Sequence, residues 1–192
     1  MRTAPSSPGE ARLSTADVLR ALRESPVSTL LSIGLGAGLS PVAPGTAGSA
    51  ATVAAAWLLL RSLSSAPPSL AAAAGLLMSG LIVALAGVFV SGKTARLLSR
   101  KDPGCIVIDE VAGQLLACAA VPLFRYPSAR SLAASWLLSF FLFRLFDIWK
   151  PGPIERLQDL PEGWGIVADD VAAGLLSAGC LAAVASLRGW WP

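Results

Sequence analysis

Long uncharged runs alternate along this chain with short segments rich in Gly, Pro, Lys and Arg. Residues 1–13 are rich in Pro, Ser, Gly and Arg and read as a disordered tail, without the apolar stretch that follows a basic start in a secretory leader. Ser14 to Glu24 predicts a short amphipathic helix. Ser14 or Thr15 caps it, Asp17 sits in its first turn, and Val18, Leu19 and Leu22 form its apolar stripe. Such a helix either lies on a membrane surface with Arg20 and Arg23 near the headgroups or packs on the rest of the chain. The helix and the tail make one expected unit, residues 1–25, and the rest of the chain, 26–192, a second.

Between residues 27 and 45, Gly34, Gly36, Gly38, Pro41 and Pro44 rule out a continuous helix. An apolar helix then runs from Thr46 to Leu63, and a polar linker follows over 61–68. Leu70 to Ser91 carries no charge and is long enough to span a bilayer. Lys93, Arg96, Arg100 and Lys101 come directly after it, which places that end on the cytoplasmic side. A helix is expected over Cys105–Val121 and a break over Pro122–Arg130. An aromatic helix follows over Leu132–Trp149, stopped by Pro151-Gly152-Pro153. A polar connection over Glu155–Gly165 leads into a last helix, Ile166–Leu187, and a tail whose tryptophans suit a membrane interface. The pattern therefore predicts an all-α, compact, membrane-associated domain with about four to six apolar helices.

Composition agrees. Of 192 residues, 54% are hydrophobic and 14% charged, against about 25% charged in a typical soluble domain. Mean hydropathy is +0.65. The net charge of +3 sits outside the apolar runs, which fits anionic headgroups rather than nucleic acid, and no nucleic-acid module is legible. Cys105, Cys118 and Cys180 are far apart in apolar segments and make neither a disulfide framework nor a zinc spacing. The chain has no histidine. Histidine bases, Ser-His-Asp triads and histidine-ligated metals are thereby excluded, and a metal would have to be held by oxygen, as Mg²⁺, Mn²⁺ or Ca²⁺ are.

Against this background the acids stand out. Asp109 and Glu110 lie within Ile106-Val-Ile-Asp-Glu-Val-Ala112, and sixty residues on Ile166-Val-Ala-Asp-Asp-Val-Ala172 repeats the pattern with Asp169 and Asp170. A carboxylate at the centre of a lipid-exposed helix costs about 2.5–3.5 kcal/mol on insertion scales. Four of them must face an interior or a wet pocket and meet cations. Helices that each bring carboxylates to a shared core are a known metal-site geometry, so these four acids are the candidate metal ligands and catalytic groups. Asp102, seven residues before Asp109, would share a helix face with it but lie about 10 Å away along an unbroken axis, suited to an entrance or a cap rather than to the same ion. Arg144, Asp147 and Lys150 are spaced three apart on one helix face. Arg144 and Lys150 can clamp a phosphate while Asp147 orients them or binds metal. Finally, Pro44-Gly45-Thr46 opens a helix whose free N–H groups and positive dipole end suit an anion, with Thr46 and Ser49 adding hydroxyls.

Four blocks carry a family resemblance: Leu39-Ser-Pro-Val-Ala-Pro-Gly-Thr-Ala-Gly48; Asp102 with Ile108-Asp-Glu-x-x-Gly113; Phe143-Arg-x-Phe-Asp-x-x-Lys-Pro-x-Pro-Ile154; and Gly165-x-x-x-Asp-Asp-x-x-Ala-Gly174. In this order they closely resemble phosphatidylglycerophosphatase A. The resemblance spans about residues 34–176 and leaves out the first 25. It implies a Mg²⁺-dependent bacterial enzyme, helical and membrane-bound, that hydrolyses phosphatidylglycerophosphate to phosphatidylglycerol and inorganic phosphate. It places the family's polar motif positions on Thr46, Asp102, Asp109, Glu110, Arg144, Asp147, Lys150, Asp169 and Asp170. The expected location is the inner membrane with the site facing the cytoplasm, as a monomer or a homo-oligomer. Attack by an aspartate and attack by a metal-activated water both remain open at the level of sequence. The competing class is a small transporter or channel, which would also use intramembrane acids, a repeat and a Gly/Pro-broken helix.

Overall fold

The computed structural model describes residues 14–62 and 69–190. The expected tail over 1–13, most of the 61–68 linker, and Trp191 and Pro192 lie outside them. The described residues form seven α-helices and no strand. These are α1 (Thr15–Glu24), α2 (Pro26–Ser32), α3 (Pro44–Ser62), α4 (Leu70–Leu97), α5 (Ile108–Cys118), α6 (Ala129–Trp149) and α7 (Gly163–Leu187).

The hub is α5, the shortest of the core helices. Ala112, Leu116, Ala117 and Cys118 are fully buried, and α3, α4, α6 and α7 all pack on it. Around its C-terminal end sit Leu76, Val121, Trp136 and Leu181. Beside its start lie Ala84, Val88, Ile106 and Val167. A helix enclosed this way has no need to cross a bilayer. The apolar stretch expected as one helix over Cys105–Val121 accordingly splits. Pro103 and Gly104 break it, Ile106 N–H turns back to the Pro103 carbonyl (2.8 Å), and the helix runs only from Ile108 to Cys118. Val107 N–H donates to the Ser32 carbonyl at 2.8 Å, which pins the entry of α5 to the end of α2.

Among the described residues three helices, α4, α6 and α7, are long and apolar enough to cross a membrane, fewer than the four to six apolar helices expected. α5 is too short, and α3 spends its first two turns on Pro44, Gly45, Thr46, Gly48 and Ser49. α4 continues to Leu97, a turn and a half beyond the expected Ser91, so Lys93 and Arg96 are helical. The connection expected over Glu155–Gly165 is shorter than that: a 3-10 helix, Gly152–Asp159, runs into its start and α7 begins at Gly163. Exposed Ile82, Leu85 and Phe89 on α4, with Leu137 and Phe141 on α6, present the apolar surface that lipid would cover.

α1 is docked on the rest of the chain. Ser14 and Asp17 form a capping box, and Val18 packs with Ile33 and Cys105. Buried hydroxyls tie this layer down: Thr29 Oγ1 donates to the Ala21 carbonyl (3.1 Å), Ser28 Oγ to the Val90 carbonyl (3.1 Å), and Ser32 Oγ meets Thr94 Oγ1 at 3.0 Å. Of the two placements open for this helix in the sequence, packing is the one seen.

One of the close backbone approaches in the bundle joins the two acidic helices. A Cβ on Gly174 would overlap the Gly113 carbonyl, and one on Gly113 would overlap the Phe143 ring and the Asp170 carbonyl. Contact this tight admits no side chain. Gly113→Ala and Gly174→Ala are each expected to lower stability by about 1–3 kcal/mol, the usual scale of overpacking. Gly179→Ala, at a helical position with nothing within 4 Å, is expected to be neutral or to stabilise by up to about 1 kcal/mol. Thermal unfolding in detergent reads the difference.

Candidate active site

All the elements that carry predicted site residues meet at one end of the bundle: the starts of α3, α5 and α7, the end of α6, and the segment between α4 and α5. α5 presents Asp109 and Glu110 in its first turn. α7 starts earlier relative to its own doublet and presents Asp169 and Asp170 in its second turn. The two copies of the repeat are therefore not used alike.

Asp109, Glu110 and Asp170 converge. One carboxylate oxygen from each lies within 4.8 Å of the others. Asp109 and Asp170 are buried and Glu110 nearly so, and Asp109 Oδ1, Glu110 Oε2 and Asp170 Oδ2 are buried with no hydrogen-bond partner. Three carboxylates with unpartnered oxygens this close repel one another in a low-dielectric setting, and a cation among them removes that cost. Their all-oxygen donor set suits a hard divalent ion. Asp169 is engaged elsewhere. Its Oδ2 accepts from Lys150 Nζ in a close ion pair, while its Oδ1 is unpartnered.

The cationic stripe on α6 faces these acids. Asp147 bridges its two neighbours, with Oδ2 2.5 Å from Arg144 Nη1 and Oδ1 3.9 Å from Lys150 Nζ. Arg144 Nη1 also lies 3.9 Å from Glu110 Oε1. Lys150 is the C-terminal cap of α6 in the left-handed conformation (φ 47°, ψ 58°), its N–H bonded to the Phe146 carbonyl at 2.8 Å. The turn into Pro151 thus swings its side chain to Asp169 rather than along the helix axis. An alternating row results: Glu110, Arg144, Asp147, Lys150, Asp169. Each cation lies between two carboxylates, so the row by itself carries one more negative charge than positive, and what the cations offer an anion is their N–H donors.

The start of α3 closes another side. A Cβ on Gly45 would overlap Glu110 Oε1 and stand 3.3 Å from Arg144 Nη1, so the backbone itself lies against the acid and the guanidinium. Pro44 occupies the first helical position, where its missing N–H costs nothing. Thr46 is half-buried in this first turn. Ser49, expected to add a hydroxyl, donates to the Gly45 carbonyl at 2.9 Å instead. Gly45 is not among the individual site residues expected from the sequence, where Pro44-Gly45-Thr46 reads only as a helix start.

Asp102 lies in the segment before α5, off any helix, and lines a small polar recess of about 90 Å³ with Lys101, Gln158 and Glu162. Solvent reaches it. Even so, crowding of its carboxyl and then the negative charge of Asp169 raise its pKa above the ordinary aspartate value, with Lys150 pulling it back. Asp102 thus stands at the rim, within the field of the Lys150–Asp169 pair.

A helical bundle holding buried acids, two shared cations and a helix start at one end has the parts of a phosphate-handling membrane enzyme. Sequence comparison is specific on the point. The family model described as phosphatidylglycerophosphatase A matches residues 30–185. Phosphatidylglycerophosphatase A of Escherichia coli is 36% identical over 154 residues, covering 79% of this chain and 80% of that protein. The Haemophilus influenzae protein of the same name is 37% identical over 148 residues, covering 76% and 81%. A Bacteroides thetaiotaomicron protein bearing the provisional name phosphatidylinositol-3-phosphatase is 32% identical over 155 residues, covering 81% and 91%. No solved structure matches. The chain belongs to the phosphatidylglycerophosphatase A family. It is a membrane phosphatase acting on a phosphate monoester.

The alternating row sets an expectation for stability. Removing one partner of a buried ion pair commonly costs about 3–5 kcal/mol. Asp147→Ala should cost less than that, because Arg144 keeps Glu110 and Lys150 keeps Asp169. Asp147→Ala combined with Lys150→Met should cost less than the sum of the two single changes, which a double-mutant cycle in thermal unfolding checks.

Proposed function

We propose that this protein hydrolyses phosphatidylglycerophosphate to phosphatidylglycerol and inorganic phosphate with Mg²⁺ as cofactor, at the cytoplasmic face of a bacterial inner membrane. The observation that carries the reading is the convergence of Asp109, Glu110 and Asp170, each with an unpartnered oxygen, beside Arg144 and Lys150. The names of the Escherichia coli and Haemophilus influenzae relatives support the substrate.

The residues fit the cofactor, since Asp109, Glu110 and Asp170 each bring a carboxylate oxygen within 4.8 Å of the others and each keeps a buried oxygen without a hydrogen-bond partner. Mg²⁺ held there by Asp109, Glu110 and Asp170 would neutralise phosphate charge and lower the pKa of an attacking water. Arg144 and Lys150 bind the phosphoryl oxygens and stabilise the charge that grows on them during transfer. Asp147 and Asp169 hold those two cations in place through the ion pairs already formed. The backbone N–H groups at the start of α3 add donors without adding charge, with the Thr46 hydroxyl alongside. With no histidine in the chain, proton transfer falls to a carboxylate or to water. Asp102, at the rim with a raised pKa, suits the approach of the leaving glycerol oxygen.

Orientation is supported by charge. Lys93, Arg96, Arg100, Lys101 and Arg156 lie at the site end, and Arg61, Arg125, Arg130 and Arg188 at the other. The bias favours the site end as the cytoplasmic one.

Purified protein should release phosphate from phosphatidylglycerophosphate with Mg²⁺ and lose that release in excess chelator. Asp109→Asn and Asp170→Asn should each lower kcat by at least about a hundredfold, the scale of losing one preorganised electrostatic group. Full activity in both variants, or no release by the wild type, refutes the reading. Preferential release from phosphatidylinositol 3-phosphate would keep the chemistry and move the substrate to that of the provisional Bacteroides name.

A further inference from the structure

α3 is lined with small residues on two opposite faces. Ala50 and Ala54 lie on one, with Val53 and Trp57 at helical spacing; Gly48, Ala51 and Ala55 lie on the other. Each face leaves an open groove. The first, of about 450 Å³, runs between α3 and α6 and is walled by Trp57, Leu137, Phe140 and Phe141. The second, of about 440 Å³, runs between α3 and the α4–α5 pair and is walled by Leu59, Leu76, Val83 and Leu115. Interiors normally close such gaps. These two are almost wholly apolar, and they flank the same helix.

Both grooves begin within about two helical turns of the active site. Gly45 touches Glu110 and Arg144, and Ala50 is five residues further along α3, about 7.5 Å at the helical rise. From the other wall, Phe141 is three residues before Arg144, about 4.5 Å. The groove ends near Trp57 and Ala133, each roughly 17 Å from the site by the same rise. The second groove starts at Gly48 and Val111, next to Glu110, and ends at Leu59 and Leu76. The two tracks thus start near the phosphate-handling end and run down α3 on either side, the first of them past exposed Phe141 and Leu137.

We infer that α3 is a ridge straddled by the two acyl chains of one lipid substrate, one chain in each groove, with the phosphate at the helix start. This rests on the proposed reading of the site as a lipid phosphatase and adds how the site recognises the lipid: a diacyl, long-chain phosphate monoester lying along α3. A lone chain fills only one track, and a water-soluble phosphate ester reaches the site and fills neither.

Two experiments test it. In the first, Ala54→Trp fills the α3/α6 groove and Ala55→Trp the other, and kcat/KM is measured on dipalmitoyl and on water-soluble dibutyryl phosphatidylglycerophosphate. Each variant should lose about ten- to a hundredfold on the long-chain substrate, the effect of excluding two or three methylenes, and keep wild-type kinetics on the short-chain one. Unchanged long-chain kinetics overturn the inference while leaving the phosphatase reading intact, and so does an equal loss on both substrates. In the second, wild-type protein in phosphatidylcholine vesicles is photo-crosslinked with a dipalmitoyl-type phosphatidic acid carrying a mid-chain diazirine, and the adducts are mapped by mass spectrometry. Adducts on both faces of α3, exceeding those from a diazirine phosphatidylcholine and competed by unlabelled phosphatidic acid, support the grooves even if the protein shows no turnover. Equal labelling by the two probes makes the grooves ordinary bilayer contacts and sinks the proposal, as does labelling of a single face.

Discussion

Two helix backbones in direct contact, at Gly113 and Gly174, hold this structure to its shape. Side chains of ordinary size would keep α5 and α7 apart at the usual 8–10 Å between axes, and Glu110 and Asp170 would then not reach a common point. Close approach brings like charges together, which by itself is unfavourable. The rest of the site end answers that cost with Arg144 from α6 and a set of carboxylate oxygens left open to a cation. Packing and electrostatics are thus one problem here. The glycines create the charge crowding, and the crowding is the cost that a cation among the acids would relieve.

The bundle's layout follows from the same need. α5 carries acids that a lipid-facing helix could not carry cheaply, so it is short and wrapped on all sides, while α4, α6 and α7 meet the apolar surroundings. α1 and α2 cover the entry to α5 through Val18, Ile33 and Cys105. The bond from Val107 N–H to the Ser32 carbonyl fixes where that helix begins.

Much of this was legible in the sequence, for physical reasons that also mark its limits. An uncharged run such as Leu70 to Ser91 announces a helix by composition alone, and so did the doublets, because buried acids have no bland explanation. The end of that run was not legible, since Lys93 and Arg96 continue the helix as readily as they would leave it. The length of α5 was misread because apolar residues at 105–107 fit an extended segment as well as a helix, and only the Ser32 carbonyl decides between them. The repeat suggested equivalent doublets. In three dimensions Asp169 meets Lys150, whose direction depends on one left-handed residue at the end of α6, and no spacing rule reveals that.

The bare backbone of Gly45 against Glu110 has a mechanical meaning. With no side chain between them, the turn that would cradle the phosphate and an acid that would hold the metal cannot move independently. Whatever draws one inward must carry the other along. The two halves of the chemistry are geared together at a single residue whose contribution is the absence of a side chain.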